Sequence, residues 1–393
     1  MMIIELTLIV LVFLLAFVAT RITLSVAGKL KVGSDEFNGR QKLHDHAVSR
    51  LGGVPIAAAA FVGLIFWAWI TDPAYTLLVT GLIVSSLPVF LAGLVEDFTR
   101  KVSAGCRLIF AFVSAALAFW LVDAQVNRTG LEILDSVLTQ HPVFSLTVTM
   151  ICIAGVSHST NLIDGCNGLS SGVCFICFAA IAAIAVMVGD AFILFAASVM
   201  GAATLGFFLW NFPFGRIFLG DAGAYMLGFL LSTMCVLLVA RNPEVSPWSM
   251  LLIMIYPVWE TLFSAIRRGQ HKLSSIGKPD SLHLHQLIHS RAVRRYGVKP
   301  SGQNKLKRNA STSVYLWALV LMSAVPAVMF WDNNSVAVIF VIVFVATYTF
   351  AYRALVQFRF PGLFKMQASK HCAFEPQFGD EKSASLAQNL DES

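Results

Sequence analysis

Charged residues are scarce in this chain of 393 residues: Asp, Glu, Lys and Arg together make up 13% of it, whereas hydrophobic residues make up 57%. Soluble globular domains carry about twice that share of charge and clearly less apolar sequence. A soluble all-α core of this composition would need helices that are apolar on every side, so we set that alternative aside. The composition predicts an integral membrane protein.

Cysteine pairs with metal-ligand or disulfide spacing are missing as well, because the seven cysteines are scattered. Cys174 and Cys177 form a C-x-x-C, but they lie inside an apolar run and have no second pair, which favours ordinary small residues of a membrane helix over a metal or redox site. The first apolar run has no A-x-A-like cleavage site and no basic residue before it. It is therefore predicted to be a retained helix.

Long apolar runs are what the chain does contain, and each is long enough for one helical crossing of a hydrocarbon core about 30 Å thick. Backbone polar groups cannot stay unpaired in lipid, so the runs should be helical. The predicted fold class is an all-α polytopic membrane protein with about eleven transmembrane helices in one integral membrane domain, 1–352. A polar cytoplasmic tail, 353–393, follows and is predicted to be disordered. The predicted spans are 2–20, 51–70, 75–94, 105–122, 143–159, 173–189, 191–210, 224–240, 248–265, 314–331 and 335–352.

Basic residues are almost absent from every second loop. One set of alternate loops, with the tail, carries about 26 of the 28 Lys and Arg residues, and the other set has only Arg128 and Arg241. Because cytoplasmic loops are enriched in Lys and Arg, the N-terminus is predicted to be periplasmic and the C-terminus cytoplasmic. A basic cytoplasmic face can meet anionic lipid headgroups and phosphate substrates. It is the usual state of a polytopic protein, so nucleic acid is not an expected partner.

Three acidic clusters lie on the predicted cytoplasmic side, each next to a span: Glu96-Asp97, Asp164 within NLIDGCNGL, and Asp221 within FLGDAG. Carboxylates at the membrane surface suit an enzyme that joins a water-soluble, metal-bound substrate to a lipid substrate.

The adjacent Glu96 and Asp97 end a predicted helix. Acidic residues at a helix C-terminus oppose the helix dipole, so no capping role is expected for them. Neighbouring like charges raise the proton affinity of one group, which suits a base or a metal ligand. A solvated loop, salt-bridged through Arg100 and Lys101, is the alternative.

Polar residues recur every three positions in the second cluster, as Asn161, Asp164 and Asn167. Amide and carboxylate oxygens are hard ligands for Mg²⁺, and amides also bind sugar hydroxyls; helix capping is the alternative. Asp221 lies between glycines at the start of a span, and one or two carboxylates plus substrate phosphates commonly hold Mg²⁺. Phe218 is a candidate for stacking on a base, or else a packing residue.

Two further segments carry basic or imidazole groups. KLHDHAVSRLGG places Lys42 and Arg50 before two glycines and a helix, an arrangement that attracts phosphate; a juxtamembrane basic segment is the alternative. HLHQ contains His283, His285 and Gln286, and an H-x-H pair beside basic residues can bind a pyrophosphate. Isolated surface histidines are the alternative, since no zinc-ligand spacing accompanies them.

Together these loops resemble the polyprenyl-phosphate N-acetylhexosamine-1-phosphate transferase family, over about residues 40–295. NLIDGCNGL looks like the family's N-x-x-D-G-x-(D/N)-G-L signature, FLGDAG like F-x-G-D-x-G, and HLHQ like its histidine motif. The resemblance implies transfer of a sugar-1-phosphate from UDP-N-acetylhexosamine to undecaprenyl phosphate, with release of UMP and with Mg²⁺, or Mn²⁺ in its place. It also implies the first membrane step of a surface polysaccharide such as the O-antigen of lipopolysaccharide, at the cytoplasmic face of a bacterial inner membrane, by a chain compatible with a homodimer.

By motif position, the resemblance implies that Asp221 is a metal ligand and that Asn161 lies close to the metal. It also implies that Phe218 stacks on uracil and that Arg100 or Lys101 contacts phosphate. It assigns the diphosphate or the sugar to His283 and His285.

The family's paired aspartates are replaced by Glu96 and Asp97, so we favour Asp97 for chemistry, with Glu96 assisting and Asp164 as a further catalytic carboxylate. Asn167 replaces an aspartate and Gln286 a histidine, so both are assigned to substrate binding.

A transporter is the first alternative function, but transporters carry charged residues within their spans. Here the span interiors are almost free of charge, and Glu260 lies near an inner end. The second alternative function is transfer of phospho-N-acetylmuramoyl-pentapeptide, as in lipid I synthesis, and the third is a catalytically inactive scaffold.

Overall fold

The computed structural model describes residues 2–30, 48–270, 282–292 and 302–357. Lys42 and most of the predicted tail lie outside the described residues. In the described part, ten helices are long and apolar enough to cross a membrane, and a bent pair of helices gives up to eleven crossings. The prediction of an all-α protein with about eleven spans is therefore confirmed.

The helices are numbered in chain order. They are α1 (Met2–Leu30), α2 (Gly53–Ile70), α3 (Pro73–Thr99), α4 (Ala104–Leu121), α5 (Glu132–Gln140), α6 (Pro142–Leu162), α7 (Leu169–Val188), α8 (Ala191–Asn211), α9 (Gly220–Arg241), α10 (Pro247–Ile253), α11 (Ile255–Gln270), α12 (Leu284–Leu287), α13 (Gly302–Met329) and α14 (Asn334–Val356). A π-helical turn, Ile288–Ala292, follows α12.

The predicted span 248–265 differs from the structure, because α10 and α11 meet at a bend of 78°. Pro257 lies in the first turn of α11 and has no N–H to donate to the carbonyl of Ile253, so a continuous helix would lose a hydrogen bond there. The other differences concern helix ends. α3 continues through Asp97 to Thr99, and α9 begins at Gly220, so Asp221 lies in its first turn.

Helix α9 is the centre of the bundle: 18 of its 22 residues are buried. Its first turn contacts α2 and α3 through glycines. A Cβ atom on Gly53 would lie 2.3 Å from the Gly223 nitrogen, and one on Gly93 would lie 2.6 Å from the Ala222 Cα atom. Small residues let helix backbones approach this closely. The start of α9 is therefore fixed by direct contact with two neighbouring backbones.

Replacement of Gly93 by alanine is expected to lower the free energy of unfolding by about 1–3 kcal/mol, because the added methyl group meets backbone atoms that cannot move independently. Gly155 provides the matched control: a Cβ atom there meets nothing within 4 Å. Thermal unfolding of the detergent-solubilised variants measures both effects. Equal melting temperatures for G93A and G155A would contradict the close contact.

The opposite end of α9 is held by the two basic residues of the sparsely charged loops. Arg128 donates to the backbone carbonyls of Val239, Asn242 and Val245, the last at 2.7 Å. Arg241 pairs with Asp190 at 2.7 Å. Cations at a helix C-terminus interact favourably with its dipole. The two exceptions to the charge asymmetry of the loops thus have a structural role.

Candidate active site

The N-terminal end of α9 is covered by the segment that precedes α2. The amides of Gly52 and Gly53 donate to the carbonyls of Phe218 and Leu219 at 3.0 and 2.9 Å. Gly220 has φ +75°, and a Cβ atom there would lie 1.8 Å from the Arg50 carbonyl oxygen. Only glycine fits such a position. The backbone of Arg50 therefore lies directly on the start of α9.

Asp97 caps α9 from the neighbouring helix. Its two carboxylate oxygens accept hydrogen bonds from the amides of Asp221 and Ala222, both at 2.9 Å, and the residue is only 1% exposed. The first amides of a helix lack partners within the helix, and a carboxylate there also meets the positive end of the dipole. The expectation that no capping role applies was wrong for Asp97: it lies at the end of its own helix but caps another.

Asp221 collects donors from three other segments. Arg50 Nη2 lies 2.8 Å from one of its oxygens and Asn161 Nδ2 lies 3.2 Å from the same oxygen, while Arg107 pairs with the other oxygen. The Asp221 side chain is only 7% exposed, whereas those of Arg50 and Arg107 are 25% and 18% exposed. Ionised groups paired in this way form strong hydrogen bonds. Asp221 is thus buried, whereas the two arginines that contact it remain partly exposed.

Asp164 adds a third carboxylate to the same region. It is partly buried in the turn between α6 and α7. Burial, followed by the charges of Asp221 and Asp97, raises the pKa of Asp164 to about 7, although Arg50 opposes the shift. The three acidic clusters predicted on one face therefore do meet at one end of the bundle, and their mutual repulsion creates a place for positive charge.

Asn167 links the turn between α6 and α7 to neighbouring segments. It is 1% exposed; its amide N–H donates to Asn309 Oδ1 at 2.7 Å, and its carbonyl accepts from Ser313 at 2.7 Å. Its side-chain amide donates to the Pro213 carbonyl at 3.0 Å. These contacts tie the turn to α13. They give Asn167 a structural role, and its predicted contact with substrate stays a prediction.

The histidine segment lies against the turn that carries Asp164. His283 and His285 are buried, with exposures of 8% and 3%, and their rings stack at 5.6 Å. A Cβ atom on Gly165 would lie 2.3 Å from His285 Nε2. The alternative of isolated surface histidines is therefore excluded. Gln286 accepts a hydrogen bond from the His283 amide at 3.2 Å, so it caps α12.

The remaining predicted residues lie close in sequence to Asp97 and Asp221. Glu96 accepts a hydrogen bond from the Val102 amide at 2.8 Å, which closes the turn between α3 and α4. Arg100 and Lys101 are exposed in that turn. Phe218 is partly buried, and its amide donates to the Ser49 carbonyl at 2.8 Å. The predicted contacts of Arg100 and Lys101 with phosphate, and of Phe218 with uracil, stay predictions.

Arg107 and His158 were missed by the sequence analysis. Arg107 follows the turn as part of α4, and His158 lies one helical turn before Asn161 on α6; the His158 ring packs on Tyr225 at 4.7 Å. Within the described residues, Arg107 Nε and His158 Nε2 are buried and have no hydrogen-bond partner. Buried nitrogen atoms are rarely left so, and such atoms mark a place where ligand oxygens would fit. Polar side chains near the inner ends of apolar runs were the available signal.

The residues present suit a divalent cation bound together with phosphates. Asp221, Asp164 and Asn161 offer hard oxygen atoms, and a cation would offset the repulsion among the carboxylates, which adds to the effect of burial in raising the pKa of Asp164. No group of three His, Cys, Asp or Glu side chains in the described ranges is already placed to hold a metal by itself. Two arginines contact Asp221 in this structure. A metal on Asp221 therefore requires that these guanidinium groups turn to another anion.

Comparison with known proteins points to one family. Residues 79–239 match the model of glycosyl transferase family 4. The probable undecaprenyl-phosphate N-acetylglucosaminyl 1-phosphate transferase of Bacillus subtilis is 28% identical over 267 residues, which cover 66% of this chain and 70% of that protein. The decaprenyl-phosphate N-acetylglucosaminephosphotransferase of Mycolicibacterium smegmatis is 24% identical over 349 residues, 79% of each chain.

A relative with a different named substrate is also similar. The phospho-N-acetylmuramoyl-pentapeptide-transferase of Streptococcus thermophilus is 28% identical over 243 residues, covering 59% of this chain and 69% of that protein. The matches agree with the loop motifs and with the helical membrane architecture. The chain therefore belongs to glycosyl transferase family 4 and is a multi-pass membrane phosphotransferase of the kind that its motifs resemble.

Proposed function

We propose that the protein transfers N-acetylhexosamine-1-phosphate from a UDP-sugar to undecaprenyl phosphate, yielding undecaprenyl-diphosphate-sugar and UMP. The observation that carries this proposal is the group around Asp221, where Arg50, Arg107 and Asn161 converge from separate segments beside Asp164. Paired cations beside carboxylates suit a diphosphate held with a divalent cation. The names of the relatives support the acceptor and the type of sugar.

The reaction joins an oxygen atom of the lipid phosphate to the β-phosphorus of the nucleotide sugar. The bond from that phosphorus to the bridging oxygen breaks, and UMP leaves with the electron pair. The lipid phosphate is already largely ionised near pH 7, so a general base adds little. Most of the rate then comes from positioning and from neutralising charge.

The chain's own residues divide this work. Arg50 and Arg107 exchange Asp221 for phosphate oxygens of the donor, because a guanidinium binds phosphate through parallel hydrogen bonds. Phe218 stacks on uracil, and His283 and His285 meet the diphosphate or the sugar.

Mg²⁺, or Mn²⁺ in its place, would be held by Asp221 with Asn161 and Asp164. When bound, the metal supplies charge neutralisation at the diphosphate. Asp97 keeps the start of α9 in place and is no longer our candidate for the base.

Orientation follows from the loop charges. Asp97, Asp164 and Asp221 lie at loops that belong to the Lys- and Arg-rich set of the sequence, and such loops remain in the cytoplasm. UDP-sugars are therefore met at the cytoplasmic face of the bacterial inner membrane. We place the reaction at the first membrane step of a surface polysaccharide such as O-antigen.

A panel of donors tests the proposal. Membranes containing the protein, undecaprenyl phosphate and Mg²⁺ are incubated with UDP-GlcNAc, UDP-GalNAc, UDP-QuiNAc, UDP-FucNAc or UDP-MurNAc-pentapeptide, and UMP and lipid product are quantified. We expect one N-acetylhexosamine donor to give equal amounts of UMP and lipid product. EDTA should abolish the reaction, and Mg²⁺ should restore it.

Two results would contradict the proposal. Product from the pentapeptide donor alone would assign the chain to lipid I synthesis. Solute flux in reconstituted vesicles without release of UMP would indicate a transporter.

A further inference from the structure

Glu260 is a buried carboxylate that the proposed function does not use. It lies on α11 and has 0% exposure. Its Oε1 atom lies 3.1 Å from His283 Nδ1 and accepts the Leu284 amide at 3.1 Å, while its Oε2 atom accepts the Tyr348 hydroxyl at 2.8 Å. A carboxylate within a membrane helix is costly and usually has a function. Glu260 also lies beyond the stretch matched by the family model, 79–239.

The contacts of Oε1 determine which nitrogen of His283 carries the hydrogen. The Leu284 amide donates to Oε1 and the Tyr348 hydroxyl donates to Oε2, so both oxygens act as acceptors, as in an ionised carboxylate. His283 Nδ1 lies 3.1 Å from Oε1 and 3.1 Å from Ser264 Oγ. A carboxylate can only accept, whereas a hydroxyl can accept as well as donate, so a hydrogen on Nδ1 satisfies both contacts. The neutral imidazole then holds its hydrogen on Nδ1 and a lone pair on Nε2. A carboxylate that orients a histidine in this way sets both the tautomer and the plane of the ring.

Glu260 also connects three separate elements. Through Leu284 it holds the start of α12, and through Tyr348 it holds α14. Tyr352, one turn further along α14, donates to the Leu282 carbonyl at 3.1 Å, which secures the same segment. The rings of His283 and His285 stack with their planes only 2° apart, and His285 packs on Gly165, the residue that follows Asp164. A continuous series of contacts therefore connects Glu260, through His283 and His285, to the turn that carries Asp164.

We propose that Glu260 is a positioning residue for phosphoryl transfer, which holds His283 as its Nδ1–H tautomer and fixes the histidine pair against the turn of Asp164. The inference rests on the proposed function, because it gives the histidines a substrate phosphate or sugar to meet. Its chemical requirement is an acceptor oxygen at the place of Oε1. Glutamine supplies that oxygen, and leucine, which has a similar volume, does not.

The variants E260Q and E260L separate positioning from packing. We expect E260L to lower kcat about 30-fold while KM for the UDP-sugar changes less than about threefold, the size of effect seen when a group that orients a functional histidine is lost. E260Q should retain at least about one third of kcat, because its Oε1 still accepts from Leu284 and His283. Glu132, exposed on α5, gives the matched control E132L, for which unchanged kinetics are expected.

A double-mutant cycle adds a readout that a packing role would not produce. In an H283A background, E260L should cause no more than about a twofold further loss of kcat, because residues that act through one another are not additive. A full 30-fold loss in that background, or a rate for E260L above one third of wild type, would overturn the inference.

A spectroscopic measurement decides the matter independently of turnover. In ¹⁵N-histidine-labelled wild-type protein, the resonances lost in H283A should show the hydrogen on Nδ1. Finding it on Nε2 would overturn the inference even if E260L does not fold. Absence of transfer by the wild type with every donor would instead count against the proposed function, and the spectrum would still test Glu260.

Discussion

The variant D221N is expected to lower kcat about 1,000-fold, the loss seen when a preorganised charged group at a reacting centre is removed. Asp221 is where Arg50, Arg107 and Asn161 converge, and its carboxylate is the proposed anchor for the metal and, through the arginines, for the diphosphate. Asparagine keeps the size and one acceptor oxygen but loses the charge. Initial rates of UMP release at saturating substrates measure the effect.

The control must separate lost chemistry from lost folding. Asp72 caps α3 by accepting the Ala74 amide at 2.8 Å, and asparagine caps a helix equally well. D72N should therefore keep the wild-type rate and melting temperature. D221N should also stay folded and membrane-inserted, because its backbone amide is still held by Asp97. A D221N rate above one tenth of wild type would rule out the metal role of Asp221.

The fold was largely predictable because apolar length and loop charge are properties of single segments. A run of about 20 apolar residues can be recognised as a span from its own sequence, without information about the neighbouring segments. The sequence analysis missed local detail in two places. Span 248–265 is bent by 78° between Ile253 and Ile255, and Asp97, judged by its own helix alone, was expected not to cap, although it caps α9. The second outcome depends on which backbone atoms of two helices face each other.

The candidate site was predictable at its loops and not within its helices. The motifs around Asp164 and Asp221 contain glycines and polar residues that stand out from apolar runs. Arg107, His158 and Glu260 lie inside helical turns whose faces are set only by packing. Asn167, although it lies within a motif, also forms contacts with neighbouring segments that its residue type does not reveal. The type of a residue indicates the chemistry of its side chain, but tertiary contacts decide which part of the protein the side chain faces.

The two ends of α9 explain why Asp221 can be held so firmly. Arg128 binds three carbonyls at the C-terminal end, and Asp97 binds two amides at the N-terminal end. Both interactions oppose the partial charges of the helix ends. Asp97 is also 3.5 Å from Arg50, so the same carboxylate joins α9 to the arginine that contacts Asp221. Asp97 therefore connects helix α3 to both the start of α9 and Arg50 of the candidate site.

The variant D97N is accordingly expected to lower stability and activity together. Asparagine can accept only one of the two amide hydrogen bonds, and its NH₂ group faces the other amide as a second donor. A buried amide left unpaired costs about 1–3 kcal/mol, so the melting temperature should fall. Displacement of Asp221 by about 1 Å should reduce kcat about 100-fold. Hydrogen exchange at the amides of Asp221 and Ala222 should accelerate, which places the defect at the start of α9.

The neighbouring Glu96 distinguishes this explanation from a role of Asp97 as the general base. Glutamine at position 96 still offers an oxygen to the Val102 amide, so E96Q should keep the wild-type melting temperature and the wild-type protection of the α9 amides. A base at position 97 would give the opposite pattern for D97N: a large loss of kcat with an unchanged melting temperature and unchanged amide protection. That pattern would restore Asp97 to the chemical step. Joint loss of stability, protection and rate would establish that its carboxylate acts by holding α9 and, through α9, Asp221.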